Sequence, residues 1–319
     1  MPKREAIAKG MNCLVIGYGS IGRRHASVLA NLDYFVHVIS KQDIKEYPCY
    51  KTVGEALGRK RFDYVVICNE TADHYQSFQE LNAHGYTGKI LIEKPIFSEM
   101  PPAFPDYSDR VFVGYNLRFH PVLQKLYDIC RHNDLYSFHV YAGQYLPSWR
   151  PGTDYPKSYS ASRAKGGGVL NDLSHELDYV LWLVGNWVRV SATGGKFSSL
   201  EIDSADIFSL LLETERCPVT SVQLNYLDIP PRRDIIAHLK GMSVKADLIE
   251  NTLEFNGKET RYDVDRNITY LLQHEAILNG DYAALCPYRE GLHALELIKA
   301  AETASERRMW IERVNLKKS

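Results

Sequence analysis

Lys94 has the clearest chemical address in this sequence. It closes the run Lys89-Ile90-Leu91-Ile92-Glu93-Lys94-Pro95, a short apolar stretch that reads as a buried strand and ends in an acid, a lysine and a strand-stopping proline. In open α/β sheets ligands bind at the carboxyl ends of the strands, so Lys94 is a candidate contact for cofactor or substrate; the plainer alternative is a surface lysine at a turn. His175 is the second candidate. It follows Gly166-Gly167-Gly168 and falls with Asn171 and Asp172 on one side of the helix predicted over Val169 to Val184. An imidazole beside a carboxylate or amide, after glycines that permit close approach, is how a proton-transfer group is set up. The alternative is a solvated face of ordinary polar residues, opposite the packed face of Leu170, Leu173, Leu177, Val180, Leu181 and Val184.

The elements that must position these groups begin with Asn12-Cys13-Leu14-Val15-Ile16, a compact strand. Gly17-Tyr18-Gly19-Ser20-Ile21-Gly22 follows at once, and then a helical stretch through Asn31. Between a strand and a helix, G-x-G-x-x-G is a dinucleotide fingerprint: Gly17 permits the tight turn, Gly19 lets the backbone approach a pyrophosphate, and Gly22 lets helix and strand pack closely. The helix start offers free N–H groups and a positive dipole end to phosphates. The second strand, Phe35 to Ile39, should end in an acid if it bound the ribose hydroxyls of NAD. It is followed instead by Ser40-Lys41, with Arg23 and Arg24 just past the glycines. A hydroxyl and cations suit a 2′-phosphate, so NADP is the expected cofactor, although Asp43 could still serve NAD.

The next strand, Tyr64 to Cys68, runs into Asn69, Thr71 and His74, which either line the nicotinamide half of the cofactor site or, for His74, merely pack at a helix start. After Pro95 the stretch Pro101-Pro102-Ala103-Phe104-Pro105 is too proline-rich for a helix. Arg110 to Val113 is expected as the last strand of a first domain, 1–117, with Glu93, Lys94 and Asn116 completing the cofactor set.

Strand signals then change character. Phe138, Val140 and Ala142 alternate, as do Val188, Val190 and Ala192, and Phe208, Leu210 and Leu212, with further short strands to Phe255. Alternation means one packed and one free face, which suits a large antiparallel sheet in a second domain, 118–319, for substrate binding and oligomerisation. The free face is a candidate surface for a homodimer or homotetramer. Arg118, and Tyr145, Trp149 and Arg150 in an aromatic and proline-rich loop, are candidate substrate contacts with Lys94, Asn171 and His175; equally, that loop simply covers the site. Helices over Ile268 to Leu278 and Leu292 to Ser305 complete the chain, followed by one strand and a basic end.

Composition sets the outer bounds. At 319 residues, roughly two domains are expected. A formal net charge of −1 without a basic stripe excludes a phosphate-reading surface for nucleic acid. The six cysteines are scattered with no Cys-x-x-Cys pair, so no metal site is expected and the thiols read as reduced, in a cytoplasmic protein. The first ten residues carry Lys3, Arg4 and Lys9 but no apolar core, and no run is long enough to span a bilayer. With Met11 just before the first strand, the leader reads as a disordered extension or an upstream start.

Taken together, Gly17-Tyr18-Gly19-Ser20-Ile21-Gly22-Arg23-Arg24-His25, Glu93-Lys94-Pro95 and Gly166 to His175 resemble, over nearly the whole chain, the Gfo/Idh/MocA family of NAD(P)-dependent oxidoreductases. The resemblance implies an N-terminal Rossmann domain with a doubly wound parallel sheet, then an α/β domain with a large open, mainly antiparallel sheet. It also implies Lys94 near the nicotinamide and the reacting hydroxyl, and His175 as the proton acceptor. The family usually carries an aspartate four residues before that histidine; here Asn171 holds that place and Asp172 stands three before, so either residue partners His175. Many members also continue into a helix where this chain has its proline-rich stretch. A second likeness, through Tyr145-Leu146-Pro147 and Leu173 to Tyr179, is to members associated with bacterial surface glycans, which implies a sugar or nucleotide-sugar substrate. Two other activities occur among relatives: NAD-dependent glycoside hydrolysis, and dinucleotide binding as a sensor or scaffold.

Overall fold

The computed structural model describes residues 10–103, 105–150 and 152–313; the leader and the basic C-terminal end lie outside them. The chain begins with β1 (Asn12–Ile16), α1 (Ser20–Asn31), β2 (Phe35–Ile39), β3 (Cys49–Tyr50), α2 (Val53–Arg59), β4 (Tyr64–Ile67), α3 (Thr71–Ala83), β5 (Lys89–Ile92) and β6 (Val111–Val113). The apolar runs of β1, β4, β5 and β6 are buried almost throughout, as central parallel strands covered by helices must be. They pair in parallel in the order β6-β5-β4-β1-β2-β3.

The second stretch runs through α4 (Pro121–Arg131), β7 (Leu135–Gly143), α5 (Leu146–Trp149), α6 (Val169–Asp172), α7 (Ser174–Val184) and β8 (Trp187–Gly195). It continues through β9 (Ile207–Thr214), β10 (Val219–Asn225), β11 (Arg232–Leu239), β12 (Met242–Asp247), β13 (Thr252–Phe255) and β14 (Lys258–Arg261). These strands form a nine-stranded sheet in the order β14-β13-β12-β11-β7-β10-β9-β8-β16, where β16 is Ile311–Glu312. Every pair is antiparallel except β7 with β10. Alternation holds along β9, where Phe208, Leu210 and Leu212 are buried while Ser209 and Leu211 are exposed. The buried side packs against α7, and α7 against α4, with Tyr127 and Trp182 stacked at 4.2 Å.

Between β14 and β16 lie α8 (Ile268–Asn279), β15 (Cys286–Pro287) and α9 (Tyr288–Arg307). Here the structure departs from a single division at residue 117. One compact unit holds 1–119 and 266–292, and the other holds 120–265 and 293–319. The strand at Val111–Val113 is therefore not the last of the first unit, because β15 adds to its free edge in antiparallel fashion and α8 packs on α1. An amphipathic helix carries no mark of which sheet it will cover, so its own sequence could not show this.

Two local expectations also change. The helix over Val169 to Val184 is two helices, broken at Leu173. Leu181, expected on the packed face, is only partly buried, and Leu183 takes its place in the core.

Candidate active site

In the first unit, the glycine turn has the form its spacing requires. Gly17 sits at φ +97°, and a Cβ there would stand 2.6 Å from the Asn69 backbone. At Gly22 a Cβ would run into the Gly17 carbonyl, which holds α1 close to β1. Gly19 is different, since a Cβ there would meet nothing within 4 Å. Its backbone therefore borders open space at the start of α1, where no side chain caps the first N–H groups. Unclaimed donors at a twelve-residue helix start beside free space fit the pyrophosphate of a dinucleotide.

At the end of β2, Ser40 Oγ accepts from the Gln42 N–H at 3.1 Å. Lys51 donates from Nζ to the carbonyl oxygens of Lys41 and Gln42, at 3.4 Å each, and pairs with Asp43 at 3.1 Å. Lys51, which sequence reasoning passed over, thus braces the turn that carries Ser40 and Lys41. Arg23 is exposed, with its guanidinium 5.5 Å from the Tyr18 ring centre.

Three residues expected near cofactor or substrate turn out to be buried and engaged inside the unit. His74 is 1% exposed, its Nδ1 3.1 Å from the Pro95 carbonyl and 3.2 Å from that of Ile96, and its Nε2 3.3 Å from that of Asn69. Burial pushes its pKa below the ordinary value, so it is a neutral packing residue that ties α3 to the chain just after Lys94. Asn116 is buried and donates to Thr269 Oγ1 on α8 at 2.8 Å. Arg118 is 2% exposed, pairs with Glu290 at 2.6 Å and donates to the Leu285 carbonyl. Nothing in the sequence pointed to these internal partners, because those on α8 and around β15 lie some 150 residues or more away for Asn116 and Arg118. Asn69 stays beside the glycine turn, its amide donating to Ser77, and Thr71 is buried at the start of α3.

Lys94 is half-buried at the end of β5, and its peptide bond to Pro95 is cis. Glu93, just before it, is 9% exposed and turns inward. Its Oε1 accepts from His25 Nε2 at 2.9 Å and its Oε2 from the Lys94 N–H at 3.2 Å. Burial alone would raise the Glu93 pKa; the His25 hydrogen bond, the Lys94 charge and the Lys94 N–H outweigh it and hold the carboxyl below its usual range. Room for the carboxylate comes from Gly114, where a Cβ would stand 2.7 Å from Oε1.

In the second unit, Gly166 and Gly168 adopt positive φ, and a Cβ at Gly167 would meet the Tyr159 and Ser160 carbonyls. The turn delivers α6 with Asn171 and Asp172 at its end. Asn171 donates its amide to the Gly166 carbonyl at 3.1 Å and so fixes the glycine turn. Asp172 does not lie on a solvated face: it is buried, and it accepts from the Tyr159 hydroxyl and, at 2.6 Å, from that of Tyr226. Burial, then the Asp172 charge, push the Tyr226 phenol well above its ordinary pKa, so it stays a donor. His175 lies half-buried in the first turn of α7, across the Leu173 break from Asp172. Trp149 packs edge-on against Tyr226 at 5.8 Å, and Trp149, Arg150, Tyr155 and Ser160 line a shallow depression. The aromatic loop is thereby joined, through Tyr226, to the Asp172 carboxylate. Tyr145 is half-buried at the start of α5. Among the described residues no cluster of His, Cys, Asp or Glu could hold a metal ion, and no helix is long and apolar enough to cross a membrane.

A glycine-rich turn opening a parallel sheet, with a lysine at a strand end, defines the dinucleotide-binding class of α/β oxidoreductases. Residues 11–104 match the profile described as "Oxidoreductase family, NAD-binding Rossmann fold", and residues 124–263 match the "GFO/IDH/MocA C-terminal domain". This chain belongs to the Gfo/Idh/MocA oxidoreductase family, whose members bind a nicotinamide cofactor. Among solved structures it is similar to GenD2 from gentamicin A biosynthesis in complex with NAD, at 19% identity and TM-score 0.79, over 98% of this chain and 99% of that one. It is similar also to the WlbA dehydrogenase from Bordetella pertussis in complex with NADH and UDP-GlcNAcA, at 16% identity and TM-score 0.78, over 97% and 99%. A third is UDP-N-acetylglucosamine 3-dehydrogenase GnnA from Acidithiobacillus ferrooxidans, at 20% and 0.74, over 93% and 98%. No curated protein sequence matches the chain.

Proposed function

We propose that the protein is a dehydrogenase or reductase for a secondary hydroxyl of a sugar or nucleotide sugar, with NADP favoured over NAD. When bound, the nicotinamide supplies the hydride acceptor or donor; the rest falls to this chain's own residues. His175 takes the hydroxyl proton on an imidazole nitrogen, Lys94 donates a hydrogen bond to the same oxygen, and Asp172 orients the histidine. The observation that carries this reading is the buried Asp172 carboxylate, locked by two tyrosines just ahead of His175 in a member of this oxidoreductase family. A carboxylate held so firmly suits an orienting role. Asn171 is spent on the Gly166 carbonyl, which favours Asp172 as the partner.

The α1 turn would hold the pyrophosphate through the N–H groups after Gly19, with Tyr18 and Arg23 beside it. Ser40 and Lys41, braced by Lys51, would meet a 2′-phosphate. Tyr145, Trp149 and Arg150 would receive the sugar and any phosphate or carboxylate attached to it. Two of the similar structures, WlbA with UDP-GlcNAcA and the GnnA dehydrogenase, carry names or ligands of sugar chemistry, which supports this class of substrate. Self-association through the free face of the nine-stranded sheet, where Tyr136, Leu211, Val219 and Ile236 are exposed, completes the proposal.

The test is a screen of sugars and nucleotide sugars by NADPH and NADH absorbance, with dissociation constants for both cofactors. Cofactor binding without turnover on any of them, or sugar release without net NAD(P)H, would replace this reading by a sensor or a hydrolase. Tighter NAD than NADP would overturn the cofactor preference.

A further inference from the structure

Behind Glu93, three buried side chains from distant parts of the sequence stand in one line. His25 Nε2 is 2.9 Å from Glu93 Oε1, His25 Nδ1 is 2.9 Å from His274 Nε2, and His274 Nδ1 is 3.0 Å from the Tyr64 hydroxyl. His25, His274 and Tyr64 are fully buried. His274 comes from α8, 249 residues beyond His25.

With His25 neutral, the protons in this line have one arrangement. An ionised carboxylate only accepts, so His25 must carry its proton on Nε2; as a neutral ring it then accepts at Nδ1. His274 accordingly donates from Nε2 and accepts at Nδ1, where the Tyr64 hydroxyl donates. Burial keeps the His274 pKa well below the ordinary 6.5 and holds the Tyr64 phenol well above its own. His274 and Tyr64 therefore stay neutral near pH 7. The line ends on the one carboxylate whose other oxygen takes the Lys94 N–H.

The helix that brings His274 is itself fastened to this unit by polar contacts at helical spacing. Thr269 accepts from Asn116, Gln273 donates to the Val113 carbonyl at 3.3 Å, and Tyr270 stands edge-on to His25 at 5.4 Å. Arg24 lies 5.2 Å from the Tyr270 ring centre on the other side. No apolar packing need explains a donor-to-acceptor sequence through four buried polar groups, since burying them costs free energy unless each is satisfied.

We propose that His274 and His25 are positioning residues: the chain Tyr64 to His274 to His25 to Glu93 fixes the Glu93 carboxylate, ionised and in one orientation, beside Lys94. This rests on the reading of Lys94 as a reacting-site lysine. What the chain demands of position 274 is an acceptor and a donor on one side chain. Glutamine offers both, and leucine offers neither.

The test uses the full-length protein with ¹⁵N-labelled imidazoles, the signals of residues 25 and 274 being identified by their loss in His25→Gln and His274→Gln. Expected in the unsubstituted protein at about pH 7 are two rings that each carry a single proton, on Nε2. A ring of either residue that carries its proton on Nδ1, or on both nitrogens, overturns the proposal. The link to Lys94 is read from its rate of acetylation by acetic anhydride, followed by peptide mass spectrometry as a function of pH. His274→Leu leaves His25 Nδ1 without a donor and open to protonation, which neutralises Glu93. The Lys94 rate should change several-fold, with a new pH dependence below neutrality, and His274→Gln should restore the original profile. If leucine and glutamine behave alike, or neither moves Lys94, the four residues are a packing cluster and the proposal falls. Should His274→Leu fail to fold, the ring tautomers and the glutamine profile still decide. None of these readouts needs turnover, so full activity in Lys94→Ala would sink the proposed function while leaving the hydrogen-bond chain to be judged separately.

Discussion

Glu93 with Lys94 in the first unit and Asp172 with His175 in the second follow one plan. In each, a buried carboxylate faces inward and a half-buried basic residue follows within three positions. The difference lies in what holds the acid. Glu93 is held by an imidazole and a main-chain N–H, and Asp172 by two phenols. The His274 imidazole behind Glu93 gains a proton as pH falls below neutrality and phenols do not, so pH sensitivity should reside behind Lys94 and mechanical rigidity behind His175. On the proposed function, both arrangements leave the acid to position and its neighbour to react.

The most severe way to break the comparison is to remove the reacting groups. Lys94→Ala and His175→Ala should each lower kcat by about 10²–10⁴-fold, the usual scale for a positioned proton-transfer group, while cofactor binding, measured by fluorescence titration, survives. A variant that keeps full kcat removes that side chain from the reacting pair.

Truncating the holders comes next. Tyr226→Phe strips one donor from Asp172 and should cost about 1–3 kcal/mol of stability in urea unfolding, the penalty for a buried acceptor left unsatisfied. If the phenols only orient His175, kcat should fall with KM little changed.

Acidification should separate the two plans. His74 and His274 have pKa values pushed below the ordinary 6.5 by burial, so the unfolded chain binds more protons than the folded one below that pH. Their contribution is whole above pH 6.5 and is lost as pH falls, at up to about 1.4 kcal/mol per pH unit for each. Glu93, held below its ordinary 4.5, adds a further loss as pH drops through the acid range. Hydrogen exchange at β5 and α8 should therefore accelerate between pH 7 and 5 before exchange at α6 and β10 does. Simultaneous acceleration would remove the distinction. The smallest effect is expected at Lys51, exposed and braced on main-chain oxygens: Lys51→Ala should weaken NADP by roughly tenfold relative to NAD, a change of about 1.4 kcal/mol.

Local pattern carried most of the first unit. The strands at 12–16, 35–39 and 89–92 and the helix from the glycine turn to Asn31 stand where the sequence places them, because buried apolar runs and obligatory glycines are local facts. Gly17 and Gly22 were legible for the same reason, since each is required by backbone a few residues away or at the adjoining strand. The internal partners of Arg118 and Asn116 were not legible, because a polar residue near a site gives no sign of a distant partner. His25 stood in the quoted glycine motif and His274 in register on its helix, but nothing in either position hinted at the other.

The sequence by itself determined the two sheet types, the cofactor turn and the presence of Lys94 and His175 at element ends, all through short-range periodicity and backbone sterics. Only the tertiary structure decided where the polar side chains look. Burial turned Asp172 inward to Tyr226, broke the helix at Leu173, and brought α8 back to the first sheet so that His274 could complete the line behind Glu93. A buried polar group must find a partner, and that partner is set by the path of the whole chain rather than by its neighbours in sequence.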